Sequence, residues 1–208
     1  MFSLSIRWGC RADNPVSGIE NFHEEERYRW LSDTELSKLT KALDEHQNQK
    51  AANAIRLQLF AGSRIGEVLG ARWSEIDFER GVWVKPSHHT KHKRIERLPL
   101  SGAALHLLSA MHKVDSASKF LFPGKNPEKP LYDLKRFWRS IMLAADIQDY
   151  RVHDNRHTHA SQLVSRGLSL AIVGRLLGHT NPMPTQRYAH LADDPLREAA
   201  EVFAEKMS

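Results

Sequence analysis

Two β-type runs, Gly81–Lys85 and Ile95–Leu100, interrupt a chain whose other periodic segments are spaced for helices. The basic octet SHHTKHKR, residues 87–94, separates them, so the pair reads as one antiparallel hairpin with a long loop. The expected fold is therefore mostly α with a small antiparallel β-sheet, an α+β class. Ahead of the hairpin, Ser32 or Asp33 caps a helix bearing Leu36, Leu39 and Leu43, and Glu35 completes a capping box with Ser32. A second helix covers Ala51–Ala61, Gly62 interrupts, and a third runs over Arg64–Ala71 with Ile65, Val68 and Leu69 on one face.

After the hairpin, Ser101–His112 is helical, Phe120–Pro123 is a short strand or turn, and Leu131–Ala145 is amphipathic, with Phe137, Trp138, Ile141 and Met142 inward. Asp154 is placed to cap a helix through Arg166, which Gly167 ends. Ser169 caps another through Leu177, which Gly178 stops. Pro184 fits only a first helical turn, so a short helix starts near it and carries Tyr188 about a turn later. An acidic helix, Leu191–Lys206, closes the chain. Residues 1–30 contain Pro15, Gly18 and an acid run but no core pattern, and read as a linker ahead of one domain, residues 31–208.

At 208 residues, 41% hydrophobic and 26% charged, the chain can bury a substantial core. The lone Cys10 excludes a disulfide framework and any multi-cysteine metal site, and points to a reducing compartment. No apolar run approaches the roughly 20 residues needed to cross a bilayer, so the expectation is a cytoplasmic protein with no membrane partner. Charge is unevenly spread: residues 1–46 hold 6 basic and 9 acidic side chains, residues 189–208 hold 2 and 5, and the stretch between carries a net +11. That middle stretch suggests a polyanionic partner.

Four clusters lie within or border the basic region: Gly62-Ser-Arg64-Ile-Gly-Glu67, Thr90-Lys91-His-Lys93-Arg94, His153-Asp-Asn-Arg156-His157, and Leu177-Gly-His179 followed by Tyr188. Two arginines, a lysine, histidines and a tyrosine, without an acidic pair to hold Mg²⁺, suit metal-free attack on a phosphodiester. Guanidinium forks from Arg64 and Arg156 match the oxygens on which charge gathers. Tyr188 is the candidate nucleophile, with His153 near it as a base. A departing 5′-alkoxide needs a proton, for which Lys91 on the hairpin tip is the candidate and Lys93 its rival. His153 and His157, four residues apart, also match a metal-binding pair, but the glutamate of an HExxH motif is missing and no cysteine is near.

In order and spacing, these motifs together with the Lys91-His-Lys-Arg-Ile-Glu-Arg-Leu-Pro99-Leu100 and Thr185-Gln-Arg-Tyr188-Ala-His-Leu runs resemble the tyrosine recombinase (phage integrase) family, over roughly Leu31–Leu191. The resemblance implies the catalytic-domain fold of that family and a site-specific DNA recombinase that works through a 3′-phosphotyrosine intermediate without metal or ATP. It implies that Arg64 and Arg156 clamp the scissile phosphate, Lys91 protonates the leaving oxygen and His153 helps accept the tyrosine proton. His179 would bond the phosphate, Tyr188 would attack, and Glu67 and His157 would be supporting residues. It also implies double-stranded DNA attachment sites as partner, a monomer without DNA and a homotetramer on it. The chain departs from the pattern at Asn155, where an apolar residue is usual, at Pro184, and in lacking the family's N-terminal core-binding domain, of which residues 1–30 look like the exit linker. Two other activities fit the same residues: DNA binding without catalysis, and type IB topoisomerase-like relaxation. A metal-dependent hydrolase built on His153 and His157 is a third alternative.

Overall fold

The computed structural model describes residues 2–20, 22, 29–86, 95–114, 117–179, 181 and 183–192. A short helix α1, Phe2–Arg7, buries no residue. Helix α2, Asp33–Glu45, starts at the expected capping box: Ser32 Oγ accepts from the Glu35 N–H at 3.2 Å while Glu35 Oε2 accepts from the Ser32 N–H at 3.0 Å. The Glu35 carboxylate also takes a fork from Arg29, whose guanidinium lies over the Tyr150 ring. Helix α3, Gln49–Ala61, is capped by Asn48 and is the spine of the core, with Ala51, Ala54, Ile55 and Leu57 wholly buried. Helix α4, Ile65–Gly70, follows the left-handed Gly62.

The sheet has three antiparallel strands in the order β1 (Ile76–Asp77), β2 (Val82–Lys85), β3 (Glu96–Pro99). The hairpin is in the expected place, in register Trp83↔Leu98 and Lys85↔Glu96. Strand β1 was not expected: two residues carry no period, and Ile76 is a strand only through its pairing with Trp83. Phe120–Pro123 forms no strand of its own but makes single bridges, Arg72↔Phe120 and Pro123↔Pro130.

Helix α5, Gly102–Val114, is followed by α6, Lys135–Ala145, which begins later than its apolar spacing suggested. Asp133 Oδ1 accepts from the Lys135 N–H at 2.7 Å, and Leu131 is tied back to Phe122. In α7, Asp154–Val164, Asp154 is the first helical residue rather than the cap, because residues 151–153 already turn helically into it and its Oδ2 accepts from the Arg151 N–H. Helix α8, Leu170–Leu176, is capped by Ser169 as expected. Helix α9, Met183–Gln186, does carry Pro184 in its first turn, but it ends before Tyr188, which lies in the turn that follows. The proposed acidic terminal helix lies outside the described residues beyond Ala192.

Two hydrophobic clusters result. The larger joins α2 to α6 with the sheet, and the smaller gathers Ala160, Val164, Val173, Leu177 and Tyr188. Asn155, which departs from the family pattern, is fully buried and satisfied: its Nδ2 donates to Gln58 Oε1 at 2.9 Å and its Oδ1 accepts from the Tyr150 hydroxyl at 2.8 Å. Truncating Ile55 to alanine is expected to cost about 2–5 kcal/mol, through lost burial and a residual cavity, and Ser32→Ala about 1 kcal/mol. Urea unfolding checks this order, and a Ser32→Ala loss equal to that of Ile55→Ala would contradict it.

Candidate active site

Arg64 occupies the N-cap position of α4 with extended backbone, so its side chain departs at the corner between α3 and α4. Its Nη1 donates to Glu67 Oε1 at 2.9 Å. Glu67 is buried, and its other oxygen accepts from Lys85 Nζ at 2.7 Å; the same ammonium donates to Ser63 Oγ at 2.8 Å. Burial pushes the Glu67 carboxyl up, but Lys85 and Arg64 outweigh it and hold the group below the usual carboxylate range.

Arg156, on the first turn of α7, is 5% exposed. Its Nη1 donates to the Gly62 carbonyl at 2.8 Å and its Nη2 to the Leu177 carbonyl at 2.5 Å. Both acceptors are neutral, so among the described residues the guanidinium is fixed in place without a hydrogen-bonded carboxylate. Burial, and then the charge of Arg64, bring its pKa to about 10, which leaves it protonated at neutral pH. The two turns that offer these carbonyls need glycine. A Cβ on Gly62 (φ 58°) would stand 2.5 Å from His159 Cδ2, and one on Gly178 (φ 67°) 2.6 Å from Glu96 Oε2.

Tyr188 belongs to the smaller cluster and is 4% exposed. Its hydroxyl shares a hydrogen bond of 2.5 Å with His157 Nδ1, and His157 in turn meets His153 edge to face with ring centroids 5.7 Å apart. Burial pushes the phenol up to about 12 against the pull of Arg187 and Arg156. Burial, then Arg187 and His153, bring His157 down to about 4. His179, whose Nδ1 is 2.9 Å from Thr185 Oγ1, is brought to about 4 by burial, then Arg156 and Arg64. His153 is lowered in the same way, by burial and then by the same two arginines. All three imidazoles are therefore neutral at pH 7.

Of the sequence candidates, Arg64, His153, Arg156, His179 and Tyr188 come together, and Lys91, with its rival Lys93, lies outside the described residues. His157, read from the sequence as a supporting residue, is the direct partner of the Tyr188 hydroxyl. Its position four residues after His153, on the same helical face, was the available signal. Lys85 was not singled out, although the alternation along β2 places it on the buried face with Trp83. Among the described residues, no three of His, Cys, Asp or Glu are placed to hold a metal ion.

Comparison with known proteins gives a consistent picture. A family model described as the phage integrase family matches residues 29–194. The integrase of Salmonella phage P22 is 29% identical over 187 residues, covering 84% of this chain and 46% of its own. The tyrosine recombinase XerA of Saccharolobus solfataricus is 34% identical over 173 residues, covering 77% of this chain and 55% of its own. The chain thus spans about half the length of these curated relatives. Among solved structures, the Tn1549 transposon integrase in complex with transposon right end DNA has a TM-score of 0.74 at 20% identity, covering 98% of this chain and 75% of that one. The catalytic domain of bacteriophage HP1 integrase has a TM-score of 0.64 at 22% identity, covering 84% and 95%. At these identities the two structures show a common fold.

The histidines make stability depend on pH. His157 and His179 titrate near 4 in the folded chain and near 6.5 unfolded, so between those values the unfolded chain binds more protons. Stability is expected to fall as pH drops from about 6.5 towards 4, and His157→Asn should reduce that slope. Thermal melts across this range check it, and an unchanged slope in the variant would contradict it.

Proposed function

Since the chain belongs to the phage integrase family, we propose that residues 31–208 are the catalytic domain of a site-specific DNA recombinase and that residues 1–30 lead into it from an N-terminal DNA-clamping domain. Tyr188 Oη attacks the scissile phosphorus, forming a phosphotyrosine bond as the bond to the 5′-oxygen breaks. The phenolic proton passes to His157, with which it already shares a hydrogen bond, and His153 stands behind that ring. Arg64 and Arg156 carry the negative charge that builds on the non-bridging oxygens. His179 donates a further hydrogen bond to the phosphate, and Lys91 protonates the 5′-oxygen. Attack on the phosphotyrosine by a 5′-hydroxyl from another duplex reseals the strand and frees Tyr188. Because the covalent link conserves the energy of the broken bond, the cycle needs neither ATP nor metal.

The observation that carries this reading is electrostatic. Arg64 and Arg156 act on both His153 and His179, and Arg156 on Tyr188, so a buried hydroxyl, imidazoles and two cations lie within electrostatic reach of one another. Such a grouping favours a phosphodiester over a neutral substrate. Double-stranded DNA is the partner, engaged by a monomer that forms a homotetramer on its attachment sites, and the +11 stretch supplies phosphate contacts.

Incubation with a nicked suicide duplex in the presence of chelator, resolved on a denaturing gel, tests the chemistry. The expected result is a covalent adduct that Tyr188→Phe abolishes and that Arg64→Ala or Arg156→Ala slows by about 10²–10³-fold, the loss typical of removing one preorganised donor. An adduct that survives Tyr188→Phe, or one that chelator removes, would overturn the reading. Duplex affinity is expected to fall steeply with salt as counterions are released, and a binding isotherm unchanged between low and moderate salt would contradict DNA as the partner.

A further inference from the structure

Lys85 ends β2 on the buried side of the strand, in a chemical setting that a sheet residue does not need. It is 4% exposed, lies 4.6 Å from the Trp83 ring centroid, and donates to Glu67 Oε2 and Ser63 Oγ. Its cross-strand partner is Glu96, whose carboxylate stands against the backbone of Gly178, next to His179. Two carboxylates thus flank the pocket in which the proposed reaction must seat a phosphate. A buried ion pair is a weak means of holding β2 on α4, because desolvation cancels much of the Coulomb gain and an apolar pair would serve as well.

We propose, on the strength of the recombinase reading, that Lys85 is a positioning residue for the phosphate clamp: by occupying one oxygen of Glu67 it limits that carboxylate to a single contact with Arg64.

A carboxylate with both oxygens available takes an arginine as a bidentate fork, the strongest geometry for that pair. Here Glu67 Oε2 is already committed to Lys85, and Arg64 meets only Oε1, through Nη1. Among the described residues, that is the only hydrogen bond to the Arg64 guanidinium, and the side chain keeps 29% of its surface exposed. Its remaining donors are left for a ligand. Removing the ammonium would let Glu67 draw Arg64 into the fork and spend the donors that the phosphate needs. It would also leave two carboxylates facing an anionic substrate with less positive charge to offset them. Lys85 touches no reacting atom in this scheme. It acts through Glu67 and Arg64.

The test uses the whole chain with Lys85→Met, which keeps an unbranched stem but frees Glu67 Oε2 by removing the donor, and Lys85→Arg, which keeps a charged donor. Single-turnover adduct formation at saturating protein is expected to slow about a hundredfold in Lys85→Met, as for a displaced catalytic group, with duplex affinity changed far less and most of the rate restored in Lys85→Arg. The Arg64 Nε–H resonance, identified by its disappearance in Arg64→Lys, should shift in DNA-free Lys85→Met and hold its place in Lys85→Arg. If Lys85→Met does not fold, it is made in the Glu67→Gln background, where no carboxylate remains to form the fork; there it should leave the Arg64 resonance where Glu67→Gln alone puts it, and a further shift would overturn the proposal. An unshifted resonance in folded Lys85→Met, or a rate loss that merely tracks lost affinity, would equally overturn it. A wild type that forms no adduct while the resonance shifts in Lys85→Met would support the coupling and refute the recombinase reading.

Discussion

The Arg156 guanidinium ties together two turns that lie far apart in the chain. Through the Gly62 carbonyl it fixes the end of α3, and through the Leu177 carbonyl the end of α8. These turns belong to different hydrophobic clusters, and each sets a group of the site: Arg64 two residues after Gly62, His179 two residues after Leu177. Burying a guanidinium on neutral carbonyls costs desolvation that a carboxylate would repay better. The arrangement makes sense where the charge must stay available to something that arrives later.

That charge shapes its surroundings. Burial lowers His153 and His179, Arg156 lowers them further, and the same charge opposes the burial that raises Tyr188. Positive potential in a partly dry pocket keeps imidazoles unprotonated, and so able to take a proton, at a pH where an exposed histidine would be partly charged. The same residue thus ties two turns together, supplies a cation and helps keep two imidazoles neutral. The carboxylates nearby are contained: Glu67 is divided between Arg64 and Lys85, and Glu96 packs on the Gly178 turn.

How much could be read from the sequence follows from the range of each interaction. The capping box at Ser32 and the glycine turns at 62, 167 and 178 were legible because they are settled within a few residues. The grouping of Arg64, Arg156, His179 and Tyr188 was legible because their spacing matches a family pattern. Strand β1 was not, since Ile76–Asp77 is a strand only by virtue of β2. The start of α6 was misplaced because Leu131 has helical spacing while the loop backbone claims it. Arg156 could be named but not its partners, because backbone carbonyls are anonymous in a sequence. Lys85 was overlooked because a lysine at a strand end ordinarily turns out towards solvent, and what holds it inward, Glu67 and Ser63, lies some twenty residues earlier.

In the proposed reaction, the state of Tyr188 limits how it can attack. Burial pushes its phenol up to about 12, so the hydroxyl is protonated at pH 7, and a phosphate drawn close adds negative charge that suppresses ionisation further. Attack by a preformed tyrosinate is therefore a poor route. His157, near 4, is too weak a base to hold the phenolic proton before the reaction begins. Proton transfer becomes favourable only as the oxygen bonds to phosphorus and its own basicity collapses, so the two events must proceed together. The Tyr188–His157 hydrogen bond provides the path for that coupled step, and the smaller cluster buries Tyr188 itself.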